Sequence, residues 1–272
     1  MNFRIIRAKS GWRFPKMREL WEFRDLFFLL VQRDIKLKYK QTAIGVAWVI
    51  LQPLATALLF SILFGSFAKF SISEKTPYLL FAFAGMLAWL LFSQIVQRAS
   101  NSLLGDARLI SKVYFPRLLI PLASATAVLV DFFVALSVML ILLPVYGIPL
   151  SVNLLFILPL AFIEILFAIG LAVFLAALNI HYRDFIHVIP FMLQLLMYAS
   201  PLFYSFSQIP EMWQSLFAFN PLVGFTEGFR FAIFGSSFRV AHVATAILVS
   251  CAVFFLGMVI FERLERTFAD VV

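Results

Sequence analysis

Trp48, Gln52, Thr56 and Phe60 recur every four residues, and Leu63 and Phe67 continue the series. Residues three and four apart share one face of a helix, so these side chains form a stripe of rings and hydrogen-bonding groups. Gln194, Tyr198, Pro201 and Ser205 repeat the pattern, with Phe203 and Tyr204 at its end. Aromatic faces stack on the C–H faces of sugar rings, while carboxamides and phenols hydrogen-bond hydroxyls. A wall of this kind offers a sugar polymer many weak, similar contacts and no firm grip. Lipid-facing rings and helix–helix packing produce the same spacing, and the residues alone leave both readings open.

The titratable residues point to no familiar catalytic chemistry. Asp131 and Glu164 each stand inside an apolar run. An ionised carboxylate at a membrane helix centre costs about 2.5–3.5 kcal/mol on insertion scales. Structural hydrogen bonding is the expected role of both, and a proton relay is the alternative. No Lys or His lies beside either in sequence. His181, His187 and His242 do not form a metal-ligand pattern with a Cys or carboxylate. The chain has no G-x-x-x-x-G-K-[ST] phosphate loop and no nucleophile–base arrangement. If ATP drives this protein, another chain must bind it.

The elements that hold these residues are membrane helices. The chain is 63% hydrophobic, has a mean hydropathy of +0.98 and contains 34 Phe. Gln41 to Ala68 is an unbroken run of 28 uncharged residues, longer than the ~20 a spanning helix needs. Six spans are expected, at about 44–67, 77–97, 121–146, 154–178, 188–206 and 241–261. Eighteen of the 22 Lys and Arg fall on one side of that arrangement and four on the other. The asymmetry puts both termini in the cytoplasm. The net charge of +8 and pI of about 9.8 then reflect basic edges against anionic lipid headgroups rather than a nucleic-acid partner. Cys251 is the single cysteine, so no intrachain disulfide forms. The first apolar run, Leu26 to Val31, is too short for a signal h-region, so no removable leader is expected.

Three segments are not simple spans. Residues 1–43 form a cytoplasmic N-terminal segment, with an amphipathic helix expected over Arg18 to Lys40. Phe28, Val31, Ile35 and Tyr39 would face the membrane, and Arg33, Lys36 and Lys40 the phosphates. Residues 99–121 form a long cytoplasmic loop within the 44–262 membrane domain. It mixes Leu109, Ile110, Val113, Tyr114 and Phe115 with Arg108, Lys112 and Arg117, and Pro116 can stop a short helix at Phe115. Its exposed rings call for a partner protein. Residues 210–239, on the outer side, are apolar but broken by Asn220-Pro221 into pieces too short to span. Asn at the N-cap and Pro at the first helical position make a good helix start. Two short re-entrant helices fit, with Glu227 and Arg230 able to pair on one face. Residues 263–272 form a cytoplasmic tail.

Four stretches together carry a family resemblance. They are FLLVQRDIKLKYKQTAIGVAWVILQPL (Phe28 to Leu54), LISKVYFPRLLIPL (Leu109 to Leu122), YRDFIHVIPFMLQLLMYASPLFY (Tyr182 to Tyr204) and FNPLVGFTEGFR (Phe219 to Arg230). In this order the chain resembles the membrane subunit of type-2 ABC exporters for bacterial surface polysaccharides. These are the O-antigen, capsule and teichoic-acid export permeases, including the Wzm and TagG families. The resemblance implies an all-α membrane protein of six spans, with an interfacial N-terminal helix and re-entrant helices before the last span. It implies a homodimer in the inner membrane with two copies of a separate ATPase that holds the ATP and magnesium. It further implies a lipid-linked polysaccharide as cargo and no cofactor in this chain. Leu109, Ile110, Lys112, Val113, Tyr114, Phe115 and Arg117 would then couple to the ATPase. Trp48, Gln52, Thr56, Phe60, Gln194, Tyr198 and Tyr204 would line the conduit between subunits, and Asn220, Glu227 and Arg230 would form its outer gate.

Two other functions compete. An exporter of a small hydrophobic drug or lipid shares this architecture. A membrane-embedded glycosyl- or acyltransferase would need a cluster of carboxylates and histidines on a cytoplasmic loop, which the sequence lacks.

Overall fold

The computed structural model describes residues 17–40, 46–63, 76–265 and 268. Every regular element among them is helical. The helices are α1 (Met17–Glu22), α2 (Arg24–Tyr39), α3 (Val46–Phe60), α4 (Tyr78–Gly105), α5 (Ala107–Lys112), α6 (Leu119–Val145), α7 (Ile157–His181), α8 (Phe185–Tyr198), α9 (Glu211–Ala218), α10 (Pro221–Phe234) and α11 (Val240–Leu264).

Four of them are long and apolar enough to cross a membrane: α4, α6, α7 with the 3-10 turn Val152–Phe156 before it, and α11. They stand where the second, third, fourth and sixth spans are expected, so the chain is a multi-pass membrane protein. The first and fifth expected spans are shorter. The apolar helix around α3 runs from Ala47 to Leu63, and the ends of the expected span at 44–45 and 64–67 lie outside the described residues. α8 has 14 residues and rises about 21 Å, less than the ~30 Å hydrocarbon layer. It stops at Tyr198 because Pro201 brings no N–H and disfavours helix in the residue before it. The stretch expected to continue to Phe206 instead leaves the helix.

The expected loop 99–121 is mostly helix. α4 has 28 residues and rises about 42 Å, more than the ~30 Å hydrocarbon layer, and its charged and polar residues Arg98, Asn101 and Ser102 cluster in its last turns. Asn101 and Ser102 donate back to the carbonyls of Gln97 and Ala99, and Leu103 is buried. The burial of Leu103 anchors that end of the helix. The connection to α6 is then only α5 and the residues after it.

α4 is the central post. It packs against α7, α6, α10 and α3, and Ala82, Ala84, Gly85 and Ala88 let its neighbours close in. Small residues at crossings replace the hydrophobic drive that lipid cannot supply. The α7–α11 crossing rests on Gly170 and Gly257. A Cβ added to Gly257 would overlap the Gly170 carbonyl oxygen.

The main core is built around Phe83, Phe92, Phe225 and Phe229. A second core at one end joins Leu30, Leu103, Phe115, Phe261 and Phe268. Leu30 ties α2 into that end of the bundle, and α2 runs along α6. The orientation of α2 differs from the sequence expectation. Phe27, Leu30 and Val31 face the core, while Phe28, Leu29 and Leu37 are exposed. The reason lies in the charges that follow.

Candidate functional site

Three acidic residues set the roll of α2. Arg33 donates from one terminal nitrogen to Asp106 Oδ1 at 2.8 Å and from the other to Asp106 Oδ2 at 2.6 Å. The second nitrogen also reaches Asp34 Oδ1 at 2.8 Å. Ser124 of α6 donates to Asp34 Oδ2 at 2.7 Å. Lys38 and Tyr39 both donate to Asp131 on α6. Arg33 therefore points into the protein and not toward phosphates, as does Lys38. The hydrogen bonds that Arg33 donates to Asp106 hold its guanidinium well above its ordinary pKa. Burial lowers the Lys38 ammonium, and the Asp131 carboxylate opposes that. Burial, followed by the Asp131 contact, raises the Tyr39 phenol.

Asp131 thus has the partners expected of a structural hydrogen-bonding group. They lie 92 and 93 residues away in sequence, out of reach of local reading. Glu164 differs. It is fully buried in α7, and neither carboxylate oxygen has a hydrogen-bond partner among the described residues.

The segment expected to couple to a partner divides in two. Leu109 packs on the second core, and Lys112, Val113 and Tyr114 are exposed, Tyr114 at 77%. The side chain of Ile110 lies outside the described residues. Phe115 is only 4% exposed, so its ring belongs to this chain's own core and is not presented to a partner. Arg117 is also engaged. Its backbone N–H donates to Glu265 Oε1 at 2.9 Å, and its guanidinium donates to the Glu265 carbonyl at 2.6 Å. Burial pushes the Glu265 carboxyl up to about 7, against the Arg117 N–H, which lowers it.

The expected lining residues do not share one environment. Trp48 and Gln52 border a cavity of about 300 Å³ among α2, α3, α4 and α6. The Thr56 hydroxyl donates to the Gln52 carbonyl at 2.9 Å. Phe60 stacks on Phe203 with centroids 3.5 Å apart, which joins the two stripes within one chain. Gln194 and Tyr198 are exposed on α8. Tyr204 is half-buried, and its hydroxyl donates to the Tyr198 carbonyl at 3.1 Å.

Two of the three residues expected at the outer gate, Asn220 and Arg230, hold the break after α8. Asn220 caps α10 by accepting from the Leu222 N–H at 3.0 Å, with Pro221 next, as their pairing predicts. Its amide also donates to the Ala199 carbonyl at 3.2 Å and to Ser200 Oγ at 3.0 Å. Arg230 donates to the carbonyls of Pro201 (2.8 Å), Leu202 (2.6 Å) and Tyr204 (3.3 Å). Its guanidinium lies 3.5 Å from the centroid of Phe81. Unwound carbonyls buried away from water need protein partners, and α10 supplies them here. Glu227 does not pair with Arg230. Its carboxylate meets His242 Nδ1 at 2.8 Å, because Arg230 turns toward the carbonyls.

A family model described as ABC-2 type transporter matches residues 25–234. This chain belongs to that family. It is 29% identical over 257 residues to an O-antigen export system permease protein, RfbA, of Myxococcus xanthus, covering 93% of this chain and 98% of the relative. It is 25% identical over 248 residues to RfbA of Klebsiella pneumoniae, covering 91% and 95%. It is also 23% identical over 253 residues to the capsule polysaccharide export inner-membrane protein CtrC of Neisseria meningitidis, covering 87% and 90%.

Within this ABC-2 chain, the α2 contacts are what sequence reading missed. One signal was present. Phe23, Phe27, Leu30, Asp34 and Lys38 follow one another at spacings of three and four, so two charges continue an apolar stripe. Charges on a buried stripe need partners, and α6 offers Asp131 and Ser124.

Proposed function

We propose that this chain is the membrane subunit of an ATP-driven exporter that moves a lipid-linked polysaccharide of the O-antigen type across the cytoplasmic membrane. The observation that carries the reading is similarity over nearly the whole length of both chains to permeases named for O-antigen export. In this reading two copies assemble with two copies of a separate ATPase, which binds the ATP and magnesium. α3 and α8 complete six spans with the four long helices, and both termini are cytoplasmic. The conduit runs between the copies, past Trp48, Gln52, Gln194 and Tyr198. α5 and the exposed Val113–Tyr114 pair meet the ATPase, while Phe115 fixes that turn from within.

The test uses the full chain co-expressed with a candidate ATPase subunit from the same organism. Capture of the ATPase is expected, as is ATP hydrolysis that the chain alone does not show. Tyr114→Ala should weaken capture at least tenfold without lowering the melting temperature, since a large exposed ring often dominates an interface. Gln52→Arg and Tyr198→Arg should assemble and bind the ATPase but leave the cell surface without polysaccharide. Parental export by both arginine variants, or hydrolysis by the chain alone, would overturn the reading.

A further inference from the structure

Two cavities meet at Arg98, near the end of the apolar part of α4. The first, about 300 Å³, takes its polar lining from Lys38, Gln52, Gln94, Arg98 and Asp131. The second, about 400 Å³ and open to the surface, is bordered by Asp34, Lys38, Arg98, Asn101, Ser102 and Ser124. Each contains one carboxylate, and each carboxylate is already taken. Asp131 accepts from Lys38 and Tyr39, and Asp34 accepts from Arg33 and Ser124. Arg98 itself makes no hydrogen bond or ion pair among the described residues, although it is half-buried.

A guanidinium stays charged at every cellular pH. At the edge of a membrane an unmatched charge is costly, and its five N–H groups seek acceptors. Lys38 and Asp131 cancel each other, which leaves the first cavity with one net positive charge. Gln52 and Gln94 add carboxamide N–H donors. Val49, Leu90 and Phe132 make the rest of the wall apolar. Charge and donors therefore sit beside hydrocarbon, as a phosphate joined to an acyl or isoprenoid chain requires. Arg pairs with phosphate through two parallel N–H···O bonds.

We propose that this cavity binds the phosphate headgroup of a membrane amphiphile, with Arg98 as its counter-ion and Gln52 and Gln94 as hydrogen-bond donors. The inference does not rest on the export reading: any phosphate-bearing lipid of that leaflet fits the chemistry.

The full chain is delipidated in a non-ionic detergent and titrated with phosphatidic acid, with diacylglycerol of the same acyl chains, and with inorganic phosphate. Bound ligand is counted by native mass spectrometry. Phosphatidic acid should be retained about tenfold more tightly than diacylglycerol. Arg98→Gln should bring the two lipids within about twofold of each other, and Arg98→Lys, which keeps the charge and loses the fork, should fall between. Lys36→Gln, on the exposed side of α2, should leave the preference intact and so exclude general surface attraction. Should Arg98→Gln not fold, Gln94→Leu keeps the charge and should still weaken phosphatidic acid about threefold. Competition by inorganic phosphate for retained phosphatidic acid supports the headgroup assignment. Binding of inorganic phosphate without retention of phosphatidic acid would overturn it in favour of a free anion. Equal retention of the two lipids by the parent chain, or an undiminished preference in a folded Arg98→Gln variant, would also overturn it.

Discussion

Arg33 on α2 and Asp106 at the start of α5 form a two-pronged ion pair, with both terminal nitrogens on both carboxylate oxygens at 2.8 and 2.6 Å. The pair ties α2 to the segment proposed above to meet the ATPase. A movement of α5 therefore reaches α2 directly, and α2 leads into α3. Charge-assisted bonds of this kind contribute roughly 1.5–3 kcal/mol. Arg33→Gln and Asp106→Asn should each lower thermal stability, and the double variant should show a coupling energy of about 1–3 kcal/mol. A cycle that closes with no coupling in detergent-solubilised protein would mean that the pair contributes nothing measurable.

Arg230→Lys should fail to replace Arg230. Lys cannot spread donors over three carbonyls in one plane or lie flat on Phe81. Arg230→Ala should leave the carbonyls at 201, 202 and 204 unpaired, and Arg230→Lys at least one of them, at about 1–3 kcal/mol each. A Cys placed at Ser205 should then react faster with a maleimide added from outside, in a Cys251→Ser background. Unchanged labelling in Arg230→Ala would show that the break holds itself.

The glycines give a clean contrast. Gly257→Ala puts a methyl into the Gly170 carbonyl, and backbone cannot swing aside as a side chain can. Overpacking of this kind typically costs about 1–3 kcal/mol. Gly105→Ala meets no atom within 4 Å and should be neutral or gain about 0.5–1 kcal/mol from its helical backbone. Melting temperatures of the two variants should fall on opposite sides of the parent or, for Gly105→Ala, match it.

Glu265 predicts a pH effect at the end of α11. Its carboxyl titrates near 4.5 when exposed and near 7 when folded. Between those values the folded chain keeps a proton that the unfolded chain has released. This group's contribution to stability is therefore full below about 4.5, falls as pH rises through the window, and is gone above about 7. The melting temperature of the parent should drop more steeply from pH 5 to pH 8 than that of Glu265→Gln. Parallel curves would remove Glu265 as the cause.

Much of the fold was legible because membrane helices announce themselves by length and hydropathy. The long helices and the Asn220-Pro221 helix start could be read from local pattern alone. The end of α8 was missed, because an apolar run past Pro201 looks like more span until backbone carbonyls are accounted for. The roll of α2 was missed because its partners, Asp106, Ser124 and Asp131, are remote in sequence. Phe115 and Tyr114 are adjacent aromatics of similar character, yet one is core and the other surface. Only the path of the chain around Pro116 separates them. Composition spoke clearly about the solvent and weakly about which charge finds which.

The break after α8 also imposes an order on synthesis. The carbonyl of Leu202 is claimed by a side chain made 28 residues later, and that of Ala199 by one made 21 residues later. While the ribosome is between those points, these two carbonyls of the unwound turn lack the side chains that satisfy them in the finished fold. The turn must then wait in water, or in the insertion machinery, until α10 arrives. The last helices of this chain are thus not additions to a finished bundle, for α10 licenses the part before it to settle.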